Sequence, residues 1–100
     1  MKYLQILLII SFVCICTIFP QQFNQLADAV IKKDTVKIEQ VLQSGVDINI
    51  QDPASGTTVL MIASSYYYYD DMVEYLIKNG SKINLKDNEG KTALLWASSN

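Results

Sequence analysis

The stretch Gly56-Thr57-Thr58-Val59-Leu60-Met61-Ile62-Ala63 returns as Gly90-Lys91-Thr92-Ala93-Leu94-Leu95-Trp96-Ala97, so Gly-x-Thr-aliphatic-Leu-apolar-apolar-Ala recurs at a spacing of 34 residues. A second block, Gly45-Val46-Asp47-Ile48-Asn49-Ile50-Gln51-Asp52, reappears as Gly80-Ser81-Lys82-Ile83-Asn84-Leu85-Lys86-Asp87 at a spacing of 35. A third, Val36-Lys37-Ile38-Glu39-Gln40-Val41-Leu42, matches Asp71-Met72-Val73-Glu74-Tyr75-Leu76-Ile77 at the same 35. The one-residue difference falls between Asp52 and Gly56, where the first turn carries one residue more than the turn between Asp87 and Gly90. Blocks that recur in order at a fixed spacing are the mark of units that bury a continuous core only by stacking on one another.

Each block has a local physical reading. Asp87-Asn88-Glu89-Gly90 is a turn, since Asp and Asn bond their own backbone and Gly accepts positive φ. Thr92 follows as the N-cap of a helix carrying Leu94, Leu95 and Ala97. Val73, Leu76 and Ile77 form an apolar helical stripe, as do Ile38, Val41 and Leu42, and Gly45 and Gly80 stop those helices. Small residues at Ala63, Ser64, Ala97 and Ser98 let first helices of adjacent units approach closely. These residues read as core or cap, the scaffold rather than a site.

In these blocks the chain resembles the ankyrin repeat, with its Gly-x-Thr-Pro-Leu-His opening, Ala-rich first helix, Ile-Val-x-x-Leu-Leu second helix and Gly-Ala-Asp-Val-Asn ending. The resemblance covers Leu26 to Asn100. It implies an all-α solenoid of helix-turn-helix repeats with β-turn or hairpin tips, and the chain before it reads separately as an N-terminal hydrophobic signal helix. Residues 26–49 correspond to a first repeat without its leading turn, 50–84 to a complete repeat and 85–100 to the start of a third. Val59 and Ala93 stand where the family has Pro, and Met61 and Leu95 where it has His. Without that His, neighbouring turns are expected to be tied together less firmly. Lys33 occupies the usual Gly place between two helices.

The composition excludes most chemistry. The 100 residues contain no His, so no Ser-His-Asp or Cys-His pair and no His-ligated metal site can be built from this chain. A formal net charge of -2 argues against nucleic acid, whose phosphates call for clustered Lys and Arg. Neither a Gly-x-Ser-x-Gly elbow nor a phosphate-cradling Gly loop is present. Asp70 and Asp71 are adjacent at a helix start, where they suit the dipole and do not converge as a catalytic pair. No enzyme, cofactor or metal is expected.

The N-terminal segment reads separately. Tyr3 to Ala27 carries no charge, Lys2 precedes it, and Ile6 to Phe19 is apolar except for Ser11 and Thr17. Spanning a bilayer takes about 20 apolar residues, and this run stops short at Pro20. Residues 1–20 are therefore read as an export signal, with a membrane anchor and a core helix as the other readings. Cys14 and Cys16 offer the best cleavage flanks. Because both cysteines lie here, residues 21–100 have no disulfide framework. The expected address is outside the cytoplasm, periplasmic or secreted, with membrane contact only through residues 1–20 if they are retained.

The resemblance implies another protein as partner, met across the turn tips and the concave face of the first helices. Candidate tip residues are Gln51, Asp52, Pro53, Ala54 and Ser55, with Lys86, Asp87, Asn88 and Glu89. On the concave face the candidates are Met61, Ser65, Leu95 and Ser99. Tyr66, Tyr67, Tyr68 and Tyr69 form a run at a helix junction, where rigid amphipathic rings suit an interface, although at least one must pack inward. The third repeat stops after its first helix, so Leu94, Leu95 and Trp96 are expected to form an apolar edge, covered by a longer array, a partner or a second copy. The competing reading is a membrane-anchored structural protein whose repeats act as a spacer.

Overall fold

A computed structural model describes residues 21–98. The proposed signal or anchor, residues 1–20, and Ser99 and Asn100 lie outside that range. Helix α1 covers residues 21–31. It is followed by α2 (Thr35–Gln43), α3 (Val59–Ser65), α4 (Asp70–Lys78) and α5 (Ala93–Ser98). No strand forms among the described residues. The architecture is an all-α stack of helix pairs, and the links expected as turns or hairpins are turns.

The helix boundaries follow local chemistry. The Asp34 side chain accepts the Lys37 N–H at 3.1 Å and starts α2. Thr58 caps α3 by accepting the Met61 N–H at 3.3 Å, and its own N–H reaches the Met61 sulfur at 3.4 Å, a reciprocal capping box closed by a thioether. Met61 thus works at the place where a His is usual in the family. Asp70 and Asp71 lie in the first turn of α4 and Lys78 in its last, each at the favourable end of the dipole. Gly45 and Gly80 follow the caps of α2 and α4 at φ 105° and 101°, ending both helices in a conformation that costs other residues strain.

The core is one cluster in which Leu26, Val30, Ile38, Val59, Met61 and Leu76 are fully buried. Helix α3 lies at its centre and packs on both α4 and α5. Ala63 is buried, as close approach of two helices requires.

Comparing repeat-equivalent positions shows where the stack stops being covered. Leu60 is 2% exposed and its counterpart Leu94 is 73% exposed; Ile48 is 8% exposed and Ile83 is 50% exposed. Leu60, Leu94 and Ile83, together with Val73, Ile77, Ala93 and Ala97, line an open apolar groove of about 210 Å³. Trp96 departs from the expected apolar edge. It packs on the core, and its Nε1 donates to Asp87 Oδ2 at 3.1 Å, because an indole N–H needs an acceptor when half-buried.

Candidate functional site

The two turn tips lie side by side. In the first, the Asp52 N–H donates to Thr57 O at 2.9 Å and the Gly56 N–H returns to Asp52 O at 2.7 Å. In the second, the Asp87 N–H donates to Lys91 O at 2.9 Å and the Gly90 N–H to Asp87 O at 3.0 Å. The extra residue of the first tip is absorbed there, as an i to i+4 closure in place of i to i+3.

Several candidate tip residues hold this structure together. Asp52 accepts the Ala54 N–H and the Ser55 hydroxyl. Asp87 Oδ1 accepts the N–H groups of Glu89 and Lys91, each at 2.9 Å. Those bonds and the one from Trp96 favour the ionised form and hold the Asp87 carboxyl below its usual range, the Lys91 N–H contributing most. Gln51 Nε2 spans the tips, reaching Gly56 O and Lys86 O at 2.9 Å each. Asn88 returns the contact, with its N–H on Ser55 O at 2.9 Å and its Nδ2 on Ala54 O at 3.0 Å. Gly56 sits at φ 73°, and a Cβ there would lie 2.6 Å from Asn88 Oδ1. The tips are therefore tied firmly by Gln51 and Asn88, in contrast to the looser coupling expected from the missing His. Pro53, Ala54, Lys86 and Glu89 are exposed, while Asp52, Ser55 and Asp87 are half-buried.

The concave-face candidates divide. Met61 is buried and serves the cap and core, so it offers no surface, which corrects its place among the contacts. Leu95 is exposed and Ser65 half-buried.

The tyrosines form a second surface at the opposite end of α3 from the tips, about 10 Å along its axis at 1.5 Å per residue. Tyr69 is the inward one: its ring packs against the core, and its hydroxyl donates to Ile31 O. Tyr66 stacks beside it with ring centroids 5.0 Å apart. Tyr66, Tyr67 and Tyr68 are exposed, and with Ser64, Asp70 and Ala97 they line a cleft of about 360 Å³.

Lys33 organises the tyrosine loop, a role the sequence reading did not assign to it. It has φ 54°, and its repeat-equivalent Tyr68 has φ 66°, so both stand in the left-handed region where Gly is usual. The Lys33 ammonium donates to Tyr68 O at 2.6 Å, pairs with Asp71 Oδ1 at 3.3 Å and lies 4.4 Å from the Tyr69 ring centroid. Lys33 is the chief cause of the lowered Asp71 pKa, assisted by the Met72 N–H. Asn49 is a second omission. Its side chain joins successive units, donating to Gly80 O at 3.1 Å and accepting the Lys82 N–H at 2.7 Å. The signal for both was a polar residue at a repeat-fixed position, and the distances that matter cross 31 to 38 residues of chain.

Among the described residues no group of His, Cys, Asp and Glu could hold a metal ion, and no helix is long and apolar enough to cross a membrane. The family model for Ankyrin repeats (3 copies) matches residues 26–100. M-phase phosphoprotein 8 from Homo sapiens is 36% identical over 75 residues, which is 74% of this chain and 9% of that protein. M-phase phosphoprotein 8 from Rattus norvegicus and from Mus musculus are each 35% identical over 75 residues, with the same coverage. The chain thus spans about a tenth of the length of these relatives.

Proposed function

This chain belongs to the ankyrin-repeat family, and from that premise we propose that it is a non-catalytic protein-binding module acting through its turn tips and concave helix face. The observation that carries the reading is the pair of tips fixed to each other by Gln51 and Asn88, which presents Pro53, Ala54, Lys86 and Glu89 as a pre-organised surface. A surface already ordered loses little freedom on binding, which favours affinity. The identity shared with M-phase phosphoprotein 8 supports the scaffold reading only, since it covers 9% of that protein. In this proposal, residues 26–49, 50–84 and 85–100 are the successive repeat units. The partner is another protein and not nucleic acid, consistent with a net charge of -2.

The test is affinity for a partner isolated by cross-linking to the full chain in its own cells. The variant Lys86→Glu is expected to weaken capture about tenfold with unchanged melting, as for a contact residue of an interface whose side chain makes no ion pair among the described residues. Undiminished capture by that variant counts against the tips.

The same proposal places the module outside the cytoplasm, on the strength of Lys2 and the uncharged run from Tyr3 to Ala27. That run also favours a second reading, a membrane-anchored spacer that keeps residues 1–20. Intact mass separates the two: a lighter soluble exported species supports cleavage, and a membrane species retaining Met1 to Phe19 supports the anchor. A full-length soluble cytoplasmic species would overturn both.

A further inference from the structure

We propose that the cleft at Tyr66–Asp70 seats a cationic side chain, arginine or lysine, presented by a basic segment of the protein partner. The inference rests on the protein-binding reading above and gives the chemistry of that partner at a second surface. Three exposed rings, Tyr66, Tyr67 and Tyr68, and the Asp70 carboxylate line one concave space of about 360 Å³, and no lining residue is cationic. The negative faces of aromatic rings attract cations, and a carboxylate in the same cleft adds an ion pair.

The loop already binds one cation by this chemistry. Lys33 is held between the Tyr69 ring and the Asp71 carboxylate, and its charge is matched there. Asp70, one residue earlier, is exposed, lines the cleft and has no ion-pair partner among the described residues. Lys33 and Tyr68 are repeat-equivalents, and Lys33 reaches the following unit from that position. Tyr68 stands there at φ 66° with 89% of its surface exposed. Neither backbone preference nor core packing accounts for a tyrosine at that position. In this proposal its ring serves the contact with the partner.

The experiment is an NMR titration of the isotopically labelled full chain with three blocked pentapeptides, Gly-Gly-X-Gly-Gly, in which X is arginine, lysine or the uncharged arginine isostere citrulline. The arginine and lysine peptides are expected to shift the ring signals of Tyr66, Tyr67 and Tyr68 and the amide of Asp70, and the citrulline peptide is not. Asp70→Asn is expected to weaken binding about two- to fivefold, the scale of one exposed ion pair or cation–π contact. Tyr68→Gly should weaken it similarly without lowering the melting temperature, because glycine relieves the left-handed strain while removing the ring. Equal shifts from citrulline, shifts confined to other residues, no shifts at millimolar peptide, or native-like binding by both variants would each overturn the proposal. Should the titration fail while the tip variant still loses partner capture, only the cation cleft falls.

Discussion

Ser81 occupies the place that Val46 holds one unit earlier, and both are buried. The Ser81 hydroxyl has no hydrogen-bond partner among the described residues. A buried hydroxyl without a partner costs about 1–3 kcal/mol in lost solvation. Ser81→Ala is therefore expected to raise stability by roughly 1 kcal/mol, measured as a shift of the urea midpoint with unchanged slope. Asp87 works in the opposite sense, with its carboxyl below the ordinary value of 3.8 in the folded chain. Folding then favours the ionised form, so this contribution is complete above about pH 3.8 and is lost as pH falls through the lower folded value. Asp87→Asn is expected to lower the melting temperature at neutral pH, since an amide has one acceptor oxygen and cannot accept both from Trp96 and from the Glu89 and Lys91 N–H groups, and to flatten the decline in acid. Thermal melts followed by the fluorescence of Trp96, the one tryptophan, between pH 2 and pH 7 read both effects.

At the scale of elements, equal sequence does not carry equal energy. Leu60 and Leu94 are the same residue in the same repeat position, yet α3 is covered by α4 and α5 while the Leu94 face of α5 opens to the groove. Leu60→Ala is expected to cost about 2–5 kcal/mol and Leu94→Ala under about 1 kcal/mol, because only the first leaves a cavity. Denaturant unfolding of the two variants measures the contrast. This asymmetry also marks what could be read before the structure. The Gly45 and Gly80 stops, the turn at Asp87–Gly90 and the apolar stripes of α2 and α4 depend on neighbours in sequence, and their residues declare them. Met61 was placed on the surface because an apolar residue in a helix gives no sign of which neighbour will cover it. Lys33 and Asn49 act on groups a whole repeat away, and their partners become visible only when the units are stacked.

At the scale of the molecule, stacking converts a short repeated text into two surfaces at opposite ends of α3. One is the pair of tips locked by Gln51 and Asn88, and the other is the tyrosine loop anchored by Tyr69 and Lys33. The side chains that fix each surface, some of them exposed, differ from those that make no bond across it. Gln51, Asp52, Asp87 and Asn88 hold the tips, and Lys86 and Glu89 face outward. This division between holding and presenting is what a binding scaffold requires, and it makes the binding claim directly measurable. A photoreactive amino acid placed at Lys86, at Tyr68 and, on the exposed side of α2, at Gln40 would report what each position meets when the full chain is irradiated in its own cells. The account predicts covalent adducts to another protein from Lys86 and Tyr68 and none from Gln40. Adducts from Gln40 alone, or from no position, would contradict it.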